Sequence, residues 1–452
     1  MIPDLSTLIP SASARSKPEV LEGLLSELQA VCAGFPDSRA GRKGNIAMAD
    51  FGLSAFSMFF MQGISFLAYQ RFLENEVGKS NCQTLFGITH IPSDNSIRNH
   101  LDLVHPKHLQ PCFDRMTHLL RTDLQLSATF SRLGGRTLIA FDGTEYFCSY
   151  KITCPHCLTR GRNNGQTESY HTMLSATVVA PGVSRVVPLM PEFIANTDGA
   201  EKQDCERNAV KRWLSQHGDR MKPLCPVYLG DDLFACQPVA EEVLQNGADF
   251  IFTCKPTSHK ALYDFMEGAA PETHEERIRK GKVTDTFRYR WIEQVPIRDS
   301  KDALSVNWIG FEILDSKGKI KYSMSWVTSL AVSKENVAEI VACGRSRWKI
   351  ENEGFNVMKN HGYELEHNFG HGKQYLAMMF AALNLLAFAW HSVLDLIEPP
   401  WQAARAAVGK RTTFFGRFLH FTIVAIYPDW ESLLAFITAP LFTPDIIVRR
   451  RC

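Results

Sequence analysis

The 452-residue chain lacks a strong charge of either sign, since 49 lysines and arginines face 48 aspartates and glutamates for a net charge of +1. A uniformly basic protein that coats nucleic acid is therefore excluded, and any contact with a polyanion must come from local basic clusters. The first 20 residues lack a continuous apolar run, so we expect no secretory signal peptide. The 12 cysteines are spread along the chain, which favours a cytoplasmic protein with reduced, free thiols.

Two apolar segments, 51–69 and 376–396, are long enough to span a bilayer. The first contains Gln62, the second contains Asn384 and His391, and neither has a clear basic flank. Helices buried in a large core have the same composition. We therefore expect two core helices and no membrane association.

The periodic patterns predict an α/β protein of several parts. Residues 1–130 are predicted to form a helical N-terminal region, a candidate for DNA binding. In 131–282, three strand patterns are followed by helix, strand, helix and strand, which indicates a mixed sheet with flanking helices. Antiparallel strand patterns dominate 283–332 and have the character of an insertion. Helical patterns return in 333–400, and a helical C-terminal region is predicted for 401–452.

Two aspartates are predicted to lie at the ends of buried strands. Asp142 follows the apolar run LIAF and Asp231 follows VYLG. Functional groups of open α/β sheets collect at strand ends, although each aspartate alone could equally cap a turn or a helix.

A third acid, Glu351, lies in the stretch RWKIENEGFNVMKN. Counting about 100° per residue places it on one face with Trp348, Phe355 and Met358, and places Glu353 on the opposite face. A carboxylate buried on an apolar face needs a partner. Either an ion pair with Arg347, one turn away, or a metal ion would meet that need.

Three converging carboxylates repel one another unless a divalent cation lies between them. Mg²⁺ favours such a site because it binds a few carboxylates, several waters and phosphate oxygens. Two such ions about 3.5–4 Å apart would activate a water or hydroxyl and stabilise the leaving oxygen at phosphorus. The sequence therefore predicts a two-metal phosphoryl-transfer site, with Mg²⁺ or Mn²⁺ bound by Asp142, Asp231 and Glu351.

These residues resemble the motifs of the DDE transposases of bacterial insertion sequences, in the family whose last acid lies in a Tyr-Arg-Glu-Lys signature. The resemblance extends from about residue 135 to 395. Asp142 in FDGT and Asp231 in GDDLF match the first two acids. The signature itself is matched by Arg347, Trp348, Ile350, Glu351, Phe355 and Lys359.

The resemblance implies a ribonuclease-H-like fold with a β-rich insertion before the last acid. It implies that Arg347 and Lys359 bind phosphates of the transposon ends. The chain departs from the signature at Gly344, where the family has tyrosine, and at Lys359, which follows Glu351 by eight residues instead of seven.

The function implied is a DNA transposase that cleaves transposon ends and joins them to target DNA. Its partners would be double-stranded DNA, in the form of terminal inverted repeats and target, and a second copy of the chain when bound to DNA. Its location would be the bacterial cytoplasm, at the nucleoid. A metal-dependent nuclease without strand transfer and a catalytically silent DNA-binding descendant of a transposase are the alternatives.

The motif CPHC, Cys154–Cys157, is half of a zinc site. No second pair at short spacing occurs in the same stretch, so the sequence favours free thiols over structural Zn²⁺. The residues that could complete a zinc site are Cys148, His156, His171, His367 and His371.

Overall fold

The computed structural model describes residues 17–39, 44–63, 69, 74, 76–163, 165–196, 203–281 and 283–439. Parts of the predicted terminal regions and residues 64–68 of the first apolar segment lie outside these ranges. The chain forms two compact units. The first contains the described parts of Met1–His118, Glu145–His171 and Asn356–Cys452, and the second contains those of Leu119–Thr144 and Thr172–Phe355.

Helices dominate both ends of the chain, and strands dominate its middle. In chain order the α-helices are α1 (Glu19–Ala33), α2 (Met48–Phe60), α3 (Glu76–Phe86), α4 (Asp94–Leu101), α5 (Gln110–Thr122), α6 (Leu124–Phe130), α7 (Glu206–Met221), α8 (Gln237–Gln245), α9 (Lys260–Met266), α10 (Val337–Arg345), α11 (Asn356–Asn360), α12 (Leu376–Ile397), α13 (Pro399–Val408), α14 (Arg411–Val424) and α15 (Trp430–Thr438). The β-strands are β1 (Ser131–Arg132), β2 (Arg136–Ser149), β3 (Leu158–Gly161), β4 (Thr167–Val179), β5 (Val187–Pro188), β6 (Glu192–Ile194), β7 (Pro226–Gly230), β8 (Asp249–Thr253), β9 (Glu272–Lys280), β10 (Val283–Pro296), β11 (Ser305–Leu314) and β12 (Ile320–Thr328).

The second unit is built on a mixed sheet with strand order β4-β2-β7-β8-β12-β11-β10-β9. Strands β2, β7 and β8 run parallel to one another, while β5 and β6 pair antiparallel with β4. All five residues of β7 are buried, as expected for a parallel strand covered on both faces. The prediction of an α/β protein with a mixed sheet is confirmed.

The strands predicted as an insertion over 283–332 are β10, β11 and β12, which continue this sheet, and β9 lies before the predicted range. Strands β9 to β12 form an antiparallel meander. Strand β12 then pairs antiparallel with β8, with Trp326 opposite Thr253. The meander therefore extends the parallel strands directly and gives them a long antiparallel flank.

The core of the first unit is helical and rich in aromatic rings. Helix α12 packs against α2, where Phe56 lies 4.6 Å from Trp390 between ring centroids. Within the described ranges, α12 is the one helix long and apolar enough to cross a membrane, and its apolar window is completely buried in the protein. Helix α2 has 13 residues, nearly all of them buried. Both helices therefore have the burial expected of core helices.

Candidate active site

Asp142 and Asp231 lie on neighbouring parallel strands. Ala140 of β2 is opposite Leu229 of β7, so the two aspartates, each two residues further on, stand at the same level. Asp231 follows the end of β7 as predicted. The prediction that Asp142 ends its strand is wrong, because β2 continues to Ser149. A glycine after the acid suggested a turn, whereas in the structure the backbone stays extended through it.

The Asp142 carboxyl group lies in a concentration of negative charge. Its side chain is 18% exposed. Burial raises the pKa of Asp142 to about 7, and the charges of Glu351, Asp231 and Glu206 also raise it, while Arg347 lowers it. The charges of three other carboxyl groups thus act on Asp142.

Arg347 connects the first and third of the predicted acids. Its Nη1 donates to Oδ2 of Asp142 at 3.2 Å, and its Nη2 lies 2.7 Å from Oε1 of Glu351. The predicted site residues Asp142, Asp231, Glu351 and Arg347 are therefore neighbours within the second unit.

The segment that carries Glu351 is not a regular α-helix. Ile350–Phe355 is a π-helical turn, whose i→i+5 hydrogen bonds break the 100° spacing. Trp348 is 44% exposed and the Glu351 side chain is 50% exposed, so the prediction of a shared buried face is wrong for both. Phe355 and Met358 are buried as predicted. Glu351 thus needs no metal to be tolerated where it lies.

Glu206, the first residue of α7, is a fourth acid that the sequence reasoning missed. A Cβ atom on Gly143 would come within 2.0 Å of its Oε1, so the missing side chain of Gly143 lets the carboxylate approach β2 closely. Burial, followed by the charge of Asp231, raises the pKa of Glu206. An acid in the first turn of a helix is common, which is why its sequence signal is weak.

Asp232, the neighbour of Asp231, binds the loop after β8 through hydrogen bonds. Its Oδ1 accepts a hydrogen bond from the backbone N–H of Lys255 at 2.6 Å, and its Oδ2 accepts one from the Ser258 hydroxyl. Asp231 makes one such contact, at 2.8 Å with the N–H of Leu233. Asp232 therefore holds a loop through two hydrogen bonds, whereas the Asp231 carboxylate accepts one within its own turn.

A cleft of about 580 Å³ is lined by Asp231 and Asp232. Several cations line the same cleft, namely Arg207, Lys255, Lys260 and Arg298. Asp231 and Asp232 are thus bordered by positive charge, an arrangement suited to a substrate that carries phosphate groups, while Asp142 and Glu351 do not line this cleft.

The chain departs from the signature at Gly344 and at Lys359, and these two residues lie in different surroundings. A side chain at Gly344 would meet Nε1 of Trp326 at 2.9 Å and Cγ2 of Ile251 at 3.0 Å, so the position has no room for a tyrosine. Lys359 belongs to the first unit, where its Nζ lies 2.7 Å from Oε1 of Glu366.

The CPHC motif belongs to a second cluster, in the first unit. Ligand atoms of Cys154, Cys157, His171 and His371 all lie within 4.8 Å of one another. The other candidates are placed differently. Cys148 is exposed, the His156 ring stacks on Tyr375, and the His367 ring packs edge-on against Phe369.

A scan against protein-family models finds no match to this chain, and a search of curated proteins finds no similar sequence. The function must therefore be argued from the chemistry of the site itself.

Proposed function

We propose that the protein is a DDE-type DNA transposase, which cleaves transposon ends and joins them to target DNA by metal-dependent phosphoryl transfer. The observation that carries the proposal is that Arg347 joins Asp142 to Glu351 by ion pairs, while Asp231 stands level with Asp142 on the neighbouring parallel strand. Three acids from three separate segments of chain are the arrangement that the resemblance implies.

The strand connectivity supports a ribonuclease-H-like catalytic domain. Strand β4 lies beside β2 and pairs antiparallel with β5 and β6, and helices α7 and α8 then alternate with β7 and β8. Strands β7 and β8 run parallel to β2, so the order is β2, β4 and the short β5 and β6 strands, followed by two helix–strand units. The β9–β12 meander precedes the segment with Glu351, where the family has its insertion.

The residues of the site fit a hard divalent cation. Burial and the charges of Glu351, Asp231 and Glu206 raise the pKa of Asp142, and Arg347 is the cation that lowers it. Carboxylate oxygens in excess of nearby cations are what Mg²⁺ or Mn²⁺ binds. Asp142, Asp231 and Glu351 would bind two ions. Such ions make water a stronger nucleophile and stabilise charge at a transferring phosphoryl group.

The fold of the protein would position the three acids for the reaction. Asp142 and Asp231 are fixed by paired strands, which is the rigid support that precise ligand placement needs. Glu351 lies half exposed on a π-helical turn, and such turns are frequent at functional sites.

The cations would position the DNA. Arg347 has a planar guanidinium that matches a phosphate group, and it would exchange its carboxylate partners for phosphate when metal neutralises the acids. The cations of the cleft would contact the sugar–phosphate backbone, which sets register without reading sequence. Double-stranded DNA at the nucleoid, bound by a homodimer that cuts two ends together, is the implied partner.

The direct test is cleavage of DNA that carries the inverted repeats flanking the gene. Asp142→Ala, Asp231→Ala and Glu351→Ala should each abolish cleavage and leave folding and DNA binding intact. Glu353→Ala, an acid from the same π-helical turn, is the matched control and should retain activity. Inactive Glu353→Ala together with active Glu351→Ala would overturn the site assignment.

The same assay tests the metal and the reaction class. Cleavage should require Mg²⁺ or Mn²⁺ and be blocked by Ca²⁺, whose looser coordination positions phosphate poorly. Cleavage that persists in excess chelator would refute the metal mechanism. Cleaved ends that never join to target DNA would identify a nuclease without strand transfer, and binding without cleavage would identify a silent DNA-binding protein.

A further inference from the structure

The Cys/His cluster is assembled from three separate segments of the first unit. Cys154 and Cys157 lie in the loop between β2 and β3, His171 lies in β4, and His371 precedes α12. The N–H of Cys157 donates to the carbonyl of Cys154 at 3.1 Å, and the N–H of Cys154 donates to Sγ of Cys157 at 3.4 Å. This tight turn directs both sulfurs to the same point.

Five of the six distances between ligand atoms are close to those of a tetrahedron around a single ion, and the sixth is within 4.8 Å. Zinc–sulfur bonds of about 2.3 Å and zinc–nitrogen bonds of about 2.0–2.1 Å place two sulfurs about 3.8 Å apart, sulfur and nitrogen about 3.5 Å apart, and two nitrogens about 3.3 Å apart. The two Sγ atoms are 3.8 Å apart. Sulfur–Nε2 distances are 3.4–3.5 Å for three of the pairs, and the two Nε2 atoms are 3.1 Å apart.

The protonation of His371 suits a ligand. Its Nδ1 lies 2.9 Å from the carbonyl oxygen of Gly372, which can only accept a hydrogen bond. The proton of a neutral His371 is therefore on Nδ1, and Nε2 presents its lone pair to the cluster. Carbonyl groups commonly orient metal-binding histidines in this way.

The burial of the cluster makes it unlike a solvated group of polar side chains. Cys157 is 3% exposed, His171 is 1% exposed and His371 is 6% exposed. Buried polar groups need partners. The partners within the cluster are mainly one another, and all four ligand atoms point inward, so a bound cation would satisfy them together.

We propose that Cys154, Cys157, His171 and His371 bind one structural zinc ion. Two thiolates and two imidazoles select Zn²⁺ over the hard cations that carboxylates bind. Four protein ligands leave no open position for water or substrate, which is the mark of a structural site. The inference is independent of the proposed transposase function, because it concerns other residues and another metal.

The ion would fix the loop that follows β2, the strand that also carries Asp142. His171 and His371 are 200 residues apart in the chain, and a metal that clips such distant segments restricts the unfolded chain strongly. The aromatic ring of Phe147, near the end of β2, lies 4.5 Å from that of His371 and covers the cluster on one side.

The test is metal analysis of the full-length protein purified without added zinc. We expect about one zinc per chain, the stoichiometry of a closed four-ligand site. Cys157→Ser and His371→Ala should each reduce the content at least tenfold. Cys148→Ser, His156→Ala and His367→Ala remove the rejected candidates and should leave it unchanged.

Two measurements on the unaltered protein keep the test decisive if variants fold poorly. X-ray absorption at the zinc edge should give two sulfur and two nitrogen neighbours, at about 2.3 Å and about 2.0–2.1 Å. Alkylation should spare Cys154 and Cys157 until a chelator is added, whereas exposed Cys148 and Cys205 should react throughout. Folded protein with less than a tenth of an equivalent of zinc, or zinc with other neighbours, would overturn the proposal.

Discussion

Replacing Arg347 by Gln separates a structural ion pair from a residue that binds DNA phosphate. The guanidinium contacts Asp142 at 3.2 Å and Glu351 at 2.7 Å. Without metal and DNA, the variant loses both ion pairs. With metal and DNA, the proposed function predicts that the acids have a new partner and that Arg347 serves the phosphates instead.

The cost in stability follows from the exposure of the two contacts. Glu351 is half exposed, so its i,i+4 pair contributes about 0.3–0.5 kcal/mol. The charged hydrogen bond to the more buried Asp142 contributes about 1.5–3 kcal/mol. Arg347→Gln should therefore lower the free energy of unfolding by about 2–3.5 kcal/mol, at or below the lower end of the 3–5 kcal/mol typical of breaking a fully buried pair.

Divalent cations should reduce this loss. An ion bound to the acids in the folded state stabilises that state by mass action and compensates the charge that Arg347 left behind. Arg288→Gln is the matched control, since Arg288 also bridges two acids, Glu275 at 2.7 Å and Glu312 at 3.4 Å. Urea unfolding with and without Mg²⁺ should show a smaller deficit for Arg347→Gln in Mg²⁺ and no such change for Arg288→Gln.

Binding to transposon-end DNA supplies the second measurement. Each lost phosphate contact lowers the slope of log K against log salt by about one. We expect this change for Arg347→Gln and no change for Arg288→Gln. A stability deficit that Mg²⁺ leaves intact, combined with an unchanged salt slope, would show that Arg347 is only a structural partner of the acids.

Three further predictions concern single positions. Lys359→Gln loses an exposed pair with Glu366, worth at most about 1 kcal/mol, and should flatten the salt dependence of DNA binding less than Arg347→Gln does; an unchanged slope would remove Lys359 from the interface. Asp232→Asn keeps an acceptor for the N–H of Lys255 and should retain cleavage where Asp231→Asn abolishes it, and the reverse result would exchange their roles. Burial, and then the charge of Arg220, lowers the pKa of His217 to about 4, so between pH 6.5 and pH 4 the unfolded chain binds a proton there and the folded chain does not. Lowering the pH from 7.5 to 5 should therefore destabilise the unaltered protein by about 2 kcal/mol more than it destabilises His217→Phe, as measured by urea unfolding. Equal losses of stability in the two proteins would contradict a neutral buried His217.

The elements around Asp231 could be predicted from sequence because each has a local signal. Helix α7 has apolar residues at helical spacing, and β7 and β8 are short apolar runs bounded by polar residues or glycine. Their order along the chain was sufficient to expect a mixed sheet and to place Asp231 at the end of a strand. The extension of β2 beyond Asp142 has no such signal, because Gly143 is as compatible with a turn as with a strand.

The zinc cluster illustrates a different limit. The spacing of Cys154 and Cys157 is visible in the sequence, and His171 and His371 were two among several candidates for the other ligands. Their selection depends on tertiary structure that brings together positions 17 and 214 residues from the cysteines. No local pattern encodes such contacts.

The π-helical turn changes the reasoning for the acidic site itself. Helical counting predicted a carboxylate buried among apolar side chains at Glu351, and a metal was inferred from the need to neutralise it. The structure leaves Glu351 half exposed, where water and Arg347 stabilise its charge, so that need disappears at Glu351. Asp142 also contacts Arg347, but it is only 18% exposed and its pKa stays raised by burial and by the charges of Glu351, Asp231 and Glu206. The proposal of a divalent cation therefore rests on the buried Asp142, and Glu351 would be a half-exposed third ligand on the π-helical turn.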